Sequence, residues 1–288
     1  MPHRDSTSVT LTAGNGEPIA LSRFTPDGDT TAAVLVSPAM ATKASYYSSF
    51  ADWLAGQGVV AYTFDYQGYG VSARTPLKDV GADILTWAAD AATVVDHVHE
   101  DLAEHFGGVP LTWIGHSLGC QLLPFTDHSK ITRAVISCGG TGWWKNADYP
   151  DKAIAPLLWW ALAPALVKVF GYYPGKRIRL LGDIPGPVMT QWARWCRNPD
   201  YLFGVLPEHR ATCAAVTMPV TALTFTDDAT MSAKASAHLE SFYTGAELTP
   251  KRYAPSEVGR EKIGHMGLYR RGNEDLWEKL LLPEVATV

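Results

Sequence analysis

The chain repeatedly sets a short, almost wholly apolar run ahead of a stretch with helical periodicity. Residues 33–37 read Ala-Val-Leu-Val-Ser and residues 59–64 read Val-Val-Ala-Tyr-Thr-Phe, with further runs at 111–114, 131–137 and 219–225. A strand with one face in water would alternate apolar and polar residues; these runs need cover on both faces. Between them, residues 44–56 place Tyr47, Phe50, Trp53 and Leu54 at helical spacing, and residues 83–106 read as one long helix. Helical patterns also start at Leu118 and run over 232–243 and 273–282. This alternation predicts an α/β protein built on a mostly parallel, doubly wound sheet of about eight strands. Residues 9–12 and 19–24 add a hairpin at one end, and 248–253 a last strand.

The rhythm breaks near Gly139-Gly140. From 141 to 210 there is no apolar strand run, and six of the ten tryptophans fall there: Trp143, Trp144, Trp159, Trp160, Trp192 and Trp195. Prolines and glycines cut the stretch into short helical pieces. The economical organisation is a core of residues 1–140 and 211–288, carrying residues 141–210 as a helical lid inserted after the sixth strand. The most apolar stretch, 153–167, is 15 residues long between Lys152 and Lys168. That is short of the roughly 20 a bilayer span needs, and Pro156 and Pro164 are expected to interrupt it, so no membrane span is expected.

Met1-Pro2-His3-Arg4-Asp5-Ser6 has no apolar segment of the secretory kind. Cys120, Cys138, Cys196 and Cys213 lie far apart with no Cys-x-x-Cys pair, which reads as free thiols in a cytoplasmic protein. A net charge of −5 with no long basic run argues against a nucleic-acid partner.

Chemistry enters at Gly115-His116-Ser117-Leu118-Gly119, a Gly-x-Ser-x-Gly sequence that a strand pattern enters and a helix pattern leaves. That context forces the serine into a strained turn, where Gly115 and Gly119 remove side chains that would collide. The helix N-terminus behind it favours developing negative charge. A serine hydroxyl needs an adjacent base oriented by a carboxylate. In chain order the candidates follow at strand ends: Asp227-Asp228 after the strand at 221–225, and His265 in Ile263-Gly-His-Met-Gly267. Two adjacent aspartates point in different directions; Asp228 is preferred as the acid, and Asp227 is expected to cap the following turn. An oxyanion hole would draw on the amide of Leu118 and on one from the loop Ser37-Pro38-Ala39-Met40, for which Met40 is the choice.

These residues resemble the α/β-hydrolase superfamily along nearly the whole chain. Asp65-Tyr66-Gln67-Gly68-Tyr69-Gly70-Val71-Ser72 is similar to its Asp-x-Arg-Gly-x-Gly-x-Ser turn, with Gln67 in place of arginine. More closely, the chain resembles a bacterial group of predicted α/β hydrolases, through Gly115–Gly119, Gly171-Tyr-Tyr-Pro-Gly-Lys-Arg177, Trp192-Ala-Arg-Trp195, the aspartate pair and the His265 segment. The resemblance implies the α/β-hydrolase fold, a triad, an oxyanion loop and a lid. Cys120, where a second glycine is common, and Pro124, which should kink or shorten the helix, depart from the pattern.

Other patterns carry less. Gly68-Tyr-Gly70-Val-Ser-Ala73 imitates a dinucleotide fingerprint, but the stretch that should supply the next strand reads as helix. His97, His99 and His105 are spaced as a solvated helix face rather than a metal site. Residues 141–210 hold nine Lys and Arg against five Asp and Glu. Lys176, Arg177, Arg179, Arg194 and Arg197 are either a solvated surface or a grip on an anionic or carrier-linked substrate.

The expectation is a cofactor-free, metal-free serine hydrolase cleaving a small-molecule ester or thioester with an apolar acyl or ring portion. Trp143, Trp159 and Trp160 are expected at the substrate. Rival expectations are an acyltransferase on the same triad and a non-hydrolytic binding or lyase-type member of the fold.

Overall fold

The computed structural model describes residues 6–148 and 150–285; the first five residues, on which the reading of the N-terminal segment rests, lie outside them. In chain order the strands are β1 (Ser6–Thr12), β2 (Pro18–Phe24), β3 (Ala32–Ser37), β4 (Val59–Asp65), β5 (Leu111–His116), β6 (Arg133–Ser137), β7 (Tyr172–Pro174), β8 (Asp183–Pro185), β9 (Pro219–Phe225) and β10 (Glu247–Tyr253). Eight of them form one sheet in the order β1-β2-β4-β3-β5-β6-β9-β10. The β1–β2 and β2–β4 pairs are antiparallel and all the others parallel.

Every residue of β3, β4 and β5 is buried, as their uninterrupted apolar runs require. Cover comes from both faces. The helix α1 (Ser48–Gly56) packs on one side, where Phe50 meets Trp277 and Tyr269 edge-on at ring distances of 5.3 and 5.4 Å. The helix α2 (Ile84–His105) covers the other side with Trp87, Val94 and Val98. The chain runs from β3 outward to β4 and then crosses back over β3 to β5. That reversal opens a crevice at the C-terminal ends of β3 and β5, the place where open α/β sheets bind ligands.

After β5 the helix α3 (Gly119–Leu122) is only four residues long and passes into a tighter turn at Leu123–Phe125, as Pro124 removes the amide a longer helix would need. Between β6 and β9 the structure departs from a string of short helices in two ways. First, β7 and β8 pair as a separate antiparallel ribbon, too short to leave a run in the sequence. Second, Pro156 and Pro164 do not interrupt the apolar stretch. One helix, α4 (Asp151–Phe170), runs for 20 residues through both, with a wider π turn over Leu158–Leu162 that takes up the bonding mismatch ahead of Pro164. Its length and mean hydropathy of 1.7 would suffice for a span. It instead packs Trp159 edge-on against Trp192 of α5 (Gly186–Cys196), with ring centroids 5.1 Å apart. The last labelled helix, α6 (Ala233–Glu240), is capped by the Ser232 hydroxyl. All four cysteines are unpaired and buried.

Asp83 joins the two parts of the chain. One carboxylate oxygen accepts from the Thr86 amide at 2.9 Å and caps α2; the other accepts from Gln191 Nε2 of α5 at 2.9 Å, while Gln191 Oε1 takes the Ile84 amide at 2.7 Å. Asp83→Ala should therefore cost about 1–2 kcal/mol, read as a lower urea midpoint at unchanged slope. An unchanged midpoint would show that water replaces these bonds without loss.

Candidate active site

The end of β5 dictates the centre of the site. Ser117 has φ of 54°, a left-handed conformation that a residue with a side chain adopts only under constraint. A Cβ on Gly119 would lie 2.2 Å from the carbonyl oxygen of Ser37, and one on Gly115 2.6 Å from the Gly119 backbone, so the turn closes only with glycine at both places. The Ser117 amide donates to the Ser137 carbonyl at 3.0 Å, which fixes the turn against β6.

Three of the expected residues come together here. His265 Nδ1 lies 2.8 Å from Asp228 Oδ2, and His265 Nε2 lies 2.9 Å from Ser117 Oγ. A carboxylate oxygen accepts, so Nδ1 carries the proton and Nε2 is left to accept from the serine hydroxyl. The Asp228 side chain is 1% exposed, and its other oxygen accepts from the amides of Thr230 at 2.8 Å and Met231 at 3.0 Å. Asp228 thus caps its own turn, a task expected of Asp227.

Asp227 acts elsewhere. Its Oδ2 accepts from the amides of Ile263 and Gly264 at 2.8 and 2.9 Å, tying the end of β9 to the loop whose final helical turn, Gly264–Gly267, carries His265. The same loop is held from three more directions. Tyr46 donates its hydroxyl to the Met266 carbonyl, Asn273 Nδ2 donates to Gly267 at 2.8 Å, and His116 lies 2.9 Å from the His265 carbonyl.

His116 is wholly buried at the end of β5. Because His116 Nε2 faces a carbonyl, it carries the proton; Nδ1 then accepts from the Tyr47 hydroxyl at 2.7 Å. Tyr47 Oη in turn accepts from the Ala39 amide at 3.0 Å. Burial, reinforced by the neighbouring His265, lowers the His116 pKa to about 3, so the ring stays neutral at ordinary pH and this series of bonds keeps one direction. It runs from the loop after β3, through Tyr47 and His116, to the backbone of His265.

Ser117 and His265 open onto a cleft of about 260 Å³. Met40 and Leu118 line it, with Met231 and Met266 beside them. The chain between β6 and β9 contributes Leu181, Ile184 and Trp192. Trp143, Trp159 and Trp160 do not line it. Trp143 packs on His238 and Trp159 behind Trp192, while Trp160 is 49% exposed. Trp192 is held in place by donating Nε1 to the Tyr201 hydroxyl, which donates to Gln121 Oε1, both at 3.1 Å. Sequence spacing could not single it out, because only the crossing of α5 over the crevice brings it there.

None of the basic residues of 141–210 lines the cleft. Lys176 faces Asp183 at 3.8 Å, and the Arg177 and Arg197 guanidinium groups lie over the Phe170 and Trp160 rings. The donor atoms of His116, Cys138 and His265 lie within 4.8 Å of one another, but both nitrogens of both rings already have protein partners. At the end of β4 the Asp65 carboxylate accepts from the amides of Val71, in the glycine-rich turn, and of Ala44, after β3, both at 2.8 Å.

A family model described as serine aminopeptidase, S33 (Hydrolase_4), matches residues 28–176, just over half the chain. The chain belongs to that family. The match includes the Ser117 turn and ends before Asp228 and His265, which the fold brings to it. No curated protein matches the chain. Among solved structures, a soluble variant of monoglyceride lipase from Saccharomyces cerevisiae is 16% identical, with a TM-score of 0.68, over 100% of this chain and 97% of that one. A putative hydrolase from Agrobacterium vitis is also 16% identical, with a TM-score of 0.63 over 98% and 100%. The thioesterase domain of the curacin biosynthetic pathway is 14% identical, with a TM-score of 0.58 over 96% and 99%. This member of the serine aminopeptidase family therefore has the α/β-hydrolase fold expected from its strand pattern.

Asp227→Ala should leave the amides of Ile263 and Gly264 without acceptors in this hydrolase. We expect a loss of stability of about 1–3 kcal/mol, together with at least a tenfold fall in turnover as His265 loses its fixed approach. Stability lost at unchanged turnover would mean the remaining tethers suffice.

Proposed function

We propose that the chain is a serine hydrolase of carboxylic esters or thioesters with a compact apolar acyl or ring portion. The observation that carries this reading is the hydrogen-bonded series Asp228–His265–Ser117 at the floor of a cleft that, among the described residues, no Asp, Glu, Lys or Arg lines. Ser117 Oγ attacks the carbonyl carbon as its proton passes to His265 Nε2, and Asp228 stabilises the imidazolium. The oxyanion is taken by backbone amides. Leu118 follows the nucleophile directly. The Ala39 amide is committed to Tyr47, which leaves Met40 as the donor this loop offers. With α3 only four residues long, the individual amide matters more than any helix dipole. His265 then returns the proton to the leaving oxygen or sulfur, and water repeats the sequence on the acyl-enzyme.

The family description names aminopeptidases, whose substrates present an ammonium group. Holding that group calls for a carboxylate in the cleft, and among the described residues no Asp or Glu lines it. No Lys or Arg lines it either, so an anionic handle finds no partner there. The neighbours named above as lipase and thioesterase belong to ester and thioester chemistry, in keeping with this reading. We assign residues 141–210 the role of a cap over a core of 1–140 and 211–288, on the strength of Leu181, Ile184 and Trp192 in the cleft wall. At about 260 Å³ the space is at the small end for ligand pockets.

A panel of p-nitrophenyl esters of graded acyl length, with leucine p-nitroanilide as comparator, tests the reading. We expect ester turnover, fluorophosphonate labelling of Ser117, and loss of both in Ser117→Ala. Asp228→Asn should lower kcat by about 10³-fold or more. Preferred turnover of the anilide, or full activity in Ser117→Ala, would refute the proposal.

Trp192 offers apolar surface remote from the scissile bond, and burial against it is worth ~25 cal/mol per Å². Trp192→Ala should therefore reduce kcat/KM more for longer acyl groups than for acetyl. A uniform loss across the panel would place acyl recognition elsewhere in the cleft.

A further inference from the structure

The helix α4 buries one face and leaves the other to solvent. Ala155, Leu158, Trp159 and Ala163 are buried. On the opposite side Ile154, Leu157, Trp160, Ala161, Ala165 and Val169 are exposed, recurring three or four residues apart along the whole helix. The exposures are 47% at Ile154, 64% at Leu157, 49% at Trp160 and 73% at Val169, far above a scatter of single surface residues. A helix of a soluble domain ordinarily carries charge on that side; within the helix only Lys152, Lys168 and Asp151 are charged, and Asp151 is its first residue.

Apart from Asp151 at the start of the helix, the charged side chains placed against the stripe are cations. Lys168 is exposed on the stripe's own side. The Arg197 guanidinium lies 5.8 Å from the centre of the Trp160 ring, and Arg177 lies 5.6 Å from that of Phe170, the last residue of the helix. Lys145 lies 5.5 Å from the Trp144 ring, which itself meets Trp160 edge-on. An apolar strip running from Ile154 to Val169 with cations at its margins fits a helix lying in the plane of a membrane interface.

We propose that the outer face of α4 docks on an anionic lipid bilayer, with the apolar side chains in the headgroup boundary and Lys168, Arg177 and Arg197 on lipid phosphates. The helix lies on the bilayer and does not cross it, since crossing would pull Trp159 away from Trp192 and expose the buried side of α4. A second copy of the chain fits less well. A two-fold contact through this face would set the same cations against each other, with Asp151 the one carboxylate on the helix to answer them.

The test is co-sedimentation of the full chain with vesicles of equal parts phosphatidylglycerol and phosphatidylcholine, beside vesicles of phosphatidylcholine alone. We expect binding to the anionic vesicles at least tenfold stronger than to the neutral ones. It should fall steeply as salt rises from about 0.1 to about 1 M, where the Debye length contracts from about 10 to about 3 Å. Leu157→Glu with Val169→Glu should cost at least another tenfold in binding and leave turnover of a soluble acetyl ester unchanged, because neither residue lines the cleft. Should that pair of substitutions lose turnover, Lys168→Glu reads the same surface through an exposed charge alone. The proposal is overturned by equal binding to neutral vesicles or by no binding to anionic ones. It is equally overturned by variants that bind like the parent, or by a concentration-dependent dimer without lipid that the same substitutions abolish. Vesicle binding requires no hydrolysis, so its failure and the failure of the esterase reading are separately visible.

Discussion

The close passage of the backbone at Gly119 past the carbonyl of Ser37 is the contact on which the site rests. It locks the first turn after β5 against the end of β3, and it forces Ser117 into a left-handed conformation that costs on the order of 1–3 kcal/mol. The surrounding sheet supplies that energy, because β3, β4 and β5 are buried throughout and cannot shift to relieve it. A strained serine on an unyielding sheet edge presents its hydroxyl in one direction. The crossover between β4 and β5 determines that this direction is the crevice.

The histidine side of the site is built differently. His265 sits in a single helical turn (Gly264–Gly267) at the end of a loop, and so short a turn keeps an imidazole within hydrogen-bonding distance only if its own backbone is held. Asp227, Tyr46, Asn273 and His116 provide that hold from four parts of the fold. His116 does more than brace, since its neutral ring passes a directed series of bonds to Tyr47 and on to Ala39. The loop after β3 and the loop of His265 therefore share a hydrogen-bonded connection through Tyr47 and His116.

Much of this was legible in the residues. Wholly apolar runs identify strands buried on both faces, and the order Ser117, Asp228, His265 matches the chain order in which such a sheet brings strand ends together. What stayed illegible depended on contacts distant in sequence. Asp227 and Asp228 are chemically identical neighbours, and only a partner 36 or 37 residues away distinguishes their tasks. Trp159 and Trp160 look alike as a pair, yet adjacent helix positions face different ways and Trp192 of another helix takes the cleft. Pro156 and Pro164 argued for breaks, but a π turn absorbed the second and one helix continued.

The sulfur atoms near the site have a bearing on where such chemistry can operate. Cys120 and Cys138 are buried beside β5 and β6, and burial pushes both thiols well above their ordinary range, with the Asp228 charge adding to the effect at Cys138. Thiolate is the form that oxidants and alkylating agents attack, and here it is scarce and sealed from solvent. With Ser117 as the proposed nucleophile, the reacting group is a hydroxyl and the two thiols beside it are silent, so its form is the same in oxidising and in reducing surroundings.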